Sequence, residues 1–418
     1  MIRSRKMVSL LESARQDRRG NFREYFHAPG GQTVLCESAV EYKWWEGFAG
    51  AFERKELRAD EFSFKDVFEQ SIPGGHDILE HWKRGEHVDL KEAAGATSVT
   101  SFNNITGQIV YNKFMEEYAS EQFTFTNLIP TITTQFDGER IPGIGGIGDQ
   151  AEIVTEAQEY PYVGVTEDWI DTPRTVKRGM IAPITKEALF FDRTAMILRS
   201  AGQVGYFLGV NKEKRAIDVV IDENSTAGRY KWRGTSYATY ATSGGHGIVN
   251  KQTSNALVDY TDIDAAELLL SKIVDPTTGE PVMVMADTLI VAPELLHKAS
   301  QALQATSIVV HEGGYATTGT LSDRVSPNTI GGIAGYSGIY TILTSRLLPG
   351  RLATDTHWFL GNPRRAFAYM ENFPLAVVQA PAGSEDEFKR DIVTQFKASE
   401  RGAFATLDPR YMVQNTVA

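Results

Sequence analysis

Residues 172–222, TPRTVKRGMIAPITKEALFFDRTAMILRSAGQVGYFLGVNKEKRAIDVVID, change character halfway: alternating, extended chain passes without a glycine break into helix-forming sequence more than thirty residues long. Few folds accommodate one helix of that length fed directly by a strand. Thr185 can cap its N-terminus, and Glu187 sits in the first turn, where negative charge favours the helix dipole. Phe191, Ala195, Leu198, Ala201, Gly205 and Leu208 recur at spacings of three and four and mark one apolar stripe. Gly202, Gly205 and Gly209 would each cost about 1 kcal/mol against alanine in a helix interior. They imply a smooth face that a sheet or another helix approaches closely. Continuous from Thr185 to about Val220, the helix would span about 50 Å at 1.5 Å per residue. The stretch lacks a sustained heptad with charged flanking positions, which argues for a spine rather than a coiled coil.

At 418 residues the chain exceeds what one hydrophobic core usually fills, which implies two or three packing units. Lysine and arginine number 42 against 53 aspartates and glutamates, a formal net charge of −11, so a surface-wide basic footprint for nucleic acid is disfavoured. Residues 1–24 are the local exception. There Arg3, Arg5, Lys6, Arg15, Arg18, Arg19 and Arg23 outnumber Glu12, Asp17 and Glu24, which reads as a solvated terminal helix, with contact to packaged nucleic acid as the sharper alternative. Cys36 is the only cysteine, so neither an intrachain disulfide nor a cysteine-based zinc cluster can form, and a reducing compartment fits. The N-terminus has no uninterrupted apolar run of signal-peptide length, and the most apolar window, PVMVMADTLIVAP (281–293), is broken by Asp287, so no membrane segment is expected.

Residues 1–95 are charged and aromatic without a steady strand period and read as an extended arm with short helices. In GQIVYNKFMEEYAS (107–120), Val110, Phe114 and Tyr118 stand four apart on one face of a short amphipathic helix. From Thr131 to Ile184 two extended stretches flank the glycine-rich GIGGIG, with Pro142, Pro161 and Pro173 interrupting them. Proline cannot donate to a sheet ladder, which restricts such strands to edges or isolated ribbons. An isolated ribbon is marginally stable in water, so this one implies support from another subunit.

Beyond the long helix, residues 222–255 are rich in Gly, Ser, Thr and Tyr and read as a surface loop or hairpin. Asp262 to Val274 reads as a helix through Ala266, Leu269, Leu270 and Ile273, and TLIVA (288–292) as a buried strand. Pro293 then opens the helix PELLHKASQAL in the first-turn position that proline tolerates. RAFAYMENFPLAVVQAP and KRDIVTQFKASERGAFATLDPRYMVQ read as long strands with a turn near Glu400 to Gly402. The C-terminal half is therefore α+β, with helices mostly on one side of antiparallel strands.

Motifs for chemistry are weak. Gly143, Gly145 and Gly148 spell the dinucleotide-binding fingerprint, and Asp168 lies twenty residues beyond Gly148. That fingerprint must join a buried strand to an amphipathic helix. Here Pro142 precedes it and the charged DQAEIVTEAQEYPY follows, so a hairpin tip is the better reading, with a soluble nucleotide-binding α/β enzyme as the alternative. His76, Glu80, His81 and His87 raise a metal site, but His81 points about 100° round a helix from its neighbour and the HExxH spacing is absent. His311 and Glu312 are adjacent and diverge, and GYSG (335–338) is one residue short of a nucleophile elbow. Nothing here supports catalysis, and no cofactor or metal is expected.

The order of these features resembles the major capsid proteins of tailed bacteriophages with the Hong Kong 97-like fold. RTVKRGMIAPITKEALFFDR resembles that family's extended-loop return strand passing into its spine helix, and ADTLIVAPELLHKASQAL the strand and helix of its axial domain. WFLGNPRRAFAYMENFPLAVVQAP and DIVTQFKASERGAFATLDPRYMVQNT resemble its closing strands, so the resemblance spans residues 105–416. It implies an α+β chain with an N-terminal arm carrying short helices (1–130), an extended two-stranded loop (131–184), a peripheral domain from the spine helix (185–222) and closing strands (356–418), and an axial domain (223–355).

The same resemblance implies pentamers and hexamers of this chain closing into an icosahedral shell around double-stranded DNA, held without sequence-specific binding. A scaffold protein and a portal would be partners, assembly would occur in the host cytoplasm, and the virion would be the destination. An encapsulin-like compartment resembles the same fold and would enclose enzymes instead. Some relatives weld their subunits through a loop lysine, but no lysine occurs between Lys113 and Lys177, so covalent welding there is not expected. Tyr160, Tyr162 and Trp169 are the candidate inter-subunit contacts, acting by packing. Residues 1–95 lack a long coiled-coil pattern, which favours a separate scaffold protein, or none, over a fused one.

Overall fold

The computed structural model describes residues 24–27, 33–36, 65, 75–84, 110–145, 153–156, 158–160, 167–185, 187, 191, 193–223, 230–243, 248–304, 307–311, 323–327, 340–379 and 392–417. In chain order the elements are β1 (Glu24–His27), β2 (Thr33–Cys36), α1 (Gly75–Lys83), α2 (110–118), α3 (Thr124–Leu128), β3 (Thr131–Thr133), β4 (Arg140–Pro142), β5 (Trp169–Asp171), β6 (Val176–Thr185) and α4 (Thr194–Ile221). After them come β7 (Tyr230–Trp232), β8 (Thr235–Tyr237), β9 (Lys251–Thr253), α5 (Tyr260–Ser271), β10 (Thr288–Val291), α6 (Leu296–Gln304), β11 (Ser307–His311), β12 (Asp323–Pro327), β13 (Thr341–Leu343), β14 (Trp358–Gly361), α7 (Pro363–Ala366), β15 (Phe367–Gln379), β16 (Ile392–Thr406) and β17 (Met412–Thr416). The sheets run β13-β10-β14-β17-β9, β3-β15-β16-β6 and β4-β5-β7-β8, with two-stranded pairs β1-β2 and β11-β12. The fold mixes helix and sheet, and the chain divides into two compact units.

One unit holds Gln122–Val176, Lys212–Asn372 and Gly402–Ala418. Its five-stranded sheet is covered on both faces, which is why TLIV and WFLG are buried at every position rather than at alternate ones. Leu289, Val291, Trp358, Leu360 and Val413 pack on one side with Ile263, Ala266 and Leu270 of α5 and with Ala299 of α6. Ile290, Phe359 and Met412 face the other side, against Ala216, Ile217, Val220 and Ile221 at the end of α4. Successive strand residues point to opposite faces, so one short apolar run serves two cores. Each fully buried Leu, Ile or Phe contributes about 1.5–3 kcal/mol relative to exposure. The buried Trp358 indole keeps its polar atom satisfied by donating to the Asn255 carbonyl at 2.9 Å.

The predicted helix at 262–274 begins slightly earlier, because Asp259 caps it. Its carboxylate accepts from the Thr261 N–H, and the Asp262 side chain accepts from the Asp259 N–H, a reciprocal capping box. Pro293 opens a 3-10 turn (Pro293–Leu295) from which α6 continues, as the first-turn reading required. The 222–255 stretch contains the expected hairpin: β7 and β8 are joined by Arg233 and Gly234, with φ of +49° and +79°, the left-handed pair that a tight two-residue hairpin turn demands.

The other unit holds Met1–Glu121, Lys177–Asn211 and Phe373–Arg401. Within it α2 bears the predicted stripe: Val110 and Phe114 are buried, and the Tyr118 hydroxyl donates to the buried Glu400 carboxylate at 2.5 Å. On the α4 side Leu198, Ala201, Gly205 and Leu208 are buried as the spacing required. Of the three glycines, Gly205 has the packing reason inferred for it, whereas a Cβ at Gly202 would meet only side-chain carbons of Glu117 and Lys113, the nearest at 3.4 Å. A Cβ at Gly205 would stand 2.5 Å from the Phe114 carbonyl oxygen, so only glycine allows this approach of α2.

Two local expectations are corrected. The long helix starts at Thr194, not Thr185, which is instead the last residue of β6. A separate helical bond, Phe191 N–H to the Glu187 carbonyl at 3.0 Å, lies between them, and Phe191 is exposed rather than on the stripe. The run Phe-Phe-Asp-Arg-Thr consists mostly of weak helix formers, which favours an interruption there. At 28 residues, α4 is about 42 Å long at 1.5 Å per residue. The turn placed near Glu400 to Gly402 is also displaced: β16 runs through it to Thr406, and the chain turns at Asp408, whose side chain caps Pro409–Tyr411. Gly402 is in the strand because the Tyr369 ring occupies the space its side chain would need, with the hydroxyl oxygen 2.4 Å from an ideal Cβ.

Candidate functional site

The glycine-rich segment and Asp168, linked in the sequence by spacing alone, meet in space. Strands β4 and β5 pair antiparallel, with Ile141 opposite Ile170 and Pro142 opposite Trp169. One step further along that ladder Gly143 donates its N–H to the Asp168 carbonyl at 3.0 Å. The Asp168 carboxylate, 5% exposed, then turns back into the glycine backbone: Gly145 N–H donates to Oδ2 at 2.6 Å. From the β7–β8 hairpin, Trp232 Nε1–H donates to Oδ1 at 2.5 Å and Arg233 Nε–H at 3.0 Å. A Cβ at Gly143 would lie 2.2 Å from Oδ2, and one at Gly145 would lie 2.9 Å from it. Glycine is needed so that the backbone can approach an anion, and the anion is the chain's own side chain.

This arrangement disposes of the dinucleotide reading. The Gly145 amide that a phosphate would use is occupied, and β4 leads to an antiparallel strand rather than into a helix. Gly148 lies outside the described residues. Of the three aromatic candidates, Tyr160 is 80% exposed, Tyr162 lies outside the described residues, and Trp169 is half-buried on β5. The Arg140 guanidinium sits over the Trp169 ring, 5.0 Å from its centroid, and the buried Trp169 Nε1 has no hydrogen-bond partner among the described residues.

A family model described as phage capsid protein matches residues 169–415, more than half of the chain. The chain belongs to the phage capsid protein family. Among curated proteins none matches it. Solved structures similar to it include a phage-related protein from Bordetella bronchiseptica RB50, at 11% identity and a TM-score of 0.42 over 74% of this chain and 95% of that one. Others are Gordonia phage Cozz, at 13% identity and 0.40 over 72% and 88%, and the mature capsid of bacteriophage PhiM1, at 13% and 0.41 over 70% and 86%. Superpositions at that level add nothing to the family assignment.

A capsid protein is a structural protein that does its work at surfaces buried only in the assembled shell. The capsid chain leaves large apolar side chains in water: Ile153 and Met283 are each 95% exposed and Met285 78%, besides Tyr160. Met283 and Met285 alternate with the partly buried Val282 and Val284 along an extended segment, so both methionines share its outward side. Among the described residues no group of three or more His, Cys, Asp or Glu could hold a metal ion, and no helix is long and apolar enough to cross a membrane. His76 and His81 are exposed on α1; His87 and Glu312 lie outside the described residues.

Several residues that hold the capsid protein together were missed by sequence reasoning. Glu213 is fully buried, accepting from the Phe125 N–H at 2.9 Å and from the Thr126 N–H and hydroxyl at 2.7 Å each, which caps the start of α3. Its signal was a charge one turn before Ala216 and Ile217 on an apolar stripe. Asn250 donates to the Thr239, Pro409 and Met412 carbonyls and accepts from the Ala241 N–H at 2.9 Å, tying β17 to the loop before β9. Arg410 is buried between Asp408 and Asp275; burial alone would lower its pKa, but the Asp408 hydrogen bonds and both carboxylate charges raise it. No local pattern announces either of these two.

Proposed function

We propose that this capsid protein is the major shell subunit: many copies, as pentamers and hexamers, close into an icosahedral shell enclosing double-stranded phage DNA, with interface burial rather than chemistry as the mechanism. The observation that carries the reading is the set of large apolar side chains left in water by a chain whose sheet is apolar on both faces. Ile153, Tyr160, Met283 and Met285 cost solubility in a free subunit and gain stabilisation when a second copy covers them. The family supplies the kind of assembly.

The proposed arrangement is Hong Kong 97-like, with 1–130 as the arm, 131–184 as the extended loop, α4 and the closing strands as the peripheral domain, and 223–355 as the axial domain. Tyr160, Tyr162 and Trp169 are the proposed loop contacts to a neighbouring subunit. A net charge of −11 suits a container that must release its contents, since a strongly basic lining would retain DNA. A separate scaffold protein and a portal are the proposed partners, with assembly in the host cytoplasm. The test is co-expression with neighbouring phage genes, followed by sedimentation and nuclease treatment. Fast-sedimenting particles with nuclease-resistant DNA are expected; particles filled with protein alone, or no particles, would overturn the DNA-container reading.

A further inference from the structure

The Asp168 cluster joins three pieces of chain that are distant in sequence and adjacent in the β4-β5-β7-β8 sheet. Gly143 and Gly145 stand where the first strand ends, Asp168 where the second begins, and Trp232 and Arg233 on the β7–β8 hairpin. Backbone bonds accompany the side-chain ones: Gly143 N–H to the Asp168 carbonyl, and Arg233 N–H to the Trp169 carbonyl, each at 3.0 Å. The twenty-two residues from 146 to 167, with exposed Ile153 and Tyr160 among them, therefore start and finish at one nearly buried carboxylate. Arg233 bears a positive φ, unusual for a residue other than Gly, Asn or Asp, where asparagine would be better tolerated. An arginine stands in a turn that disfavours it, and its guanidinium donates to Asp168.

We infer that Asp168 is a positioning residue for assembly: its clasp fixes both ends of the 146–167 segment so that Ile153 and Tyr160 meet a neighbouring copy in one geometry. This rests on the shell reading above. A buried carboxylate with three donors suits the task, because charge-assisted bonds are shorter and roughly twice as strong as neutral ones and hold direction as well as distance. In Asp168→Asn the new NH2 must face either the Gly145 N–H or the Trp232 and Arg233 donors, so the clasp opens on one side. In Arg233→Asn the turn gains a residue that accepts positive φ, while the clasp loses its cation.

The experiment measures the full chain's critical concentration for shell formation by light scattering, beside its thermal unfolding midpoint below that concentration. Arg233→Asn is expected to move the midpoint by less than about 4 °C, the relief of positive φ offsetting part of the lost ion pair, and to raise the critical concentration about tenfold, which corresponds to about 1.4 kcal/mol. Asp168→Asn should raise it further. Tyr160→Ala should cost less assembly in the Arg233→Asn background than in the parent, because the clasp acts through the segment that carries Tyr160. Unchanged assembly of Arg233→Asn, additive effects of the two substitutions, or an assembly defect that only tracks a lowered midpoint would each overturn the inference. A parent chain that forms no shells would instead overturn the shell reading on which it rests.

Discussion

Replacing Gly205 and Gly202 one at a time by alanine separates packing from helix propensity within three residues of the same helix. The propensity gain is the same at both sites, about 1 kcal/mol per Gly→Ala change in a helix interior. The neighbours differ. At Gly205 the new methyl would stand 2.5 Å from the Phe114 carbonyl oxygen and 3.1 Å from its Cα, about 0.9 Å short of ordinary 3.4 Å contact, and these are backbone atoms that cannot swing aside. At Gly202 the nearest atoms are side-chain carbons of Glu117 and Lys113, both at 3.4 Å. Overpacking a tight contact costs about 1–3 kcal/mol. Phe114 is fully buried, so displacing α2 also loosens its packing and places the cost in the upper part of that range.

Gly205→Ala is therefore expected to be destabilising by about 1–2 kcal/mol net, and Gly202→Ala to be stabilising by up to about 1 kcal/mol. For a unit of this size each kcal/mol moves the midpoint by about 2–4 °C, so the two variants should melt at least about 2 °C apart. Calorimetry is run below the assembly concentration, because self-association adds apparent stability. A Gly205→Ala midpoint equal to or above that of Gly202→Ala would refute the reasoning, since it would mean that α2 is free to move away from α4.

Four further outcomes follow from the geometry. Glu213→Gln replaces one acceptor oxygen by a donor facing the Phe125 or Thr126 amides and should cost about 1–3 kcal/mol in urea unfolding; a cost near zero would mean that water reaches the start of α3. Met283→Ser with Met285→Ser should change unassembled-chain stability by less than about 0.5 kcal/mol, as surface changes do, yet raise the concentration needed for assembly; unchanged assembly would remove those methionines from the interface. Tyr160→Ala should accelerate subunit exchange between shells with the chain's own midpoint unchanged. Trp169→Ala should accelerate exchange and also lower the midpoint, because its ring packs within the chain under Arg140, and unchanged exchange in both variants would reject the loop-packing proposal.

What the sequence made legible was whatever a single element determines. TLIVA announced a strand buried on both faces, and Ala266 and Leu270 announced the buried side of α5. Val110, Phe114 and Tyr118 announced the stripe on α2, and Gly205 of α4 announced a close neighbour without naming it. What depended on distant residues was not legible. Gly402 looks like a turn residue until Tyr369 is found filling its missing side chain. The Gly148–Asp168 spacing raised a dinucleotide fingerprint that the sequence ranked below a hairpin tip, but it did not show the carboxylate contact: glycines that let a backbone approach a phosphate also let it approach a carboxylate, and the antiparallel pairing of β4 with β5 tells the two apart. Asn250 and Arg410 carry no local pattern, because each ties near residues to far ones: Asn250 joins Thr239 and Ala241 to Pro409 and Met412, and Arg410 joins Asp408 to Asp275.

Electron microscopy of the purified chain, imaged alone and together with the neighbouring scaffold gene product, tests most directly whether it is a shell subunit. Closed shells, or rings of five and six subunits, are the predicted result. A chain that stays a small, uniform monomer or dimer in both preparations would contradict the claim that its exposed apolar residues exist to be covered by further copies of itself.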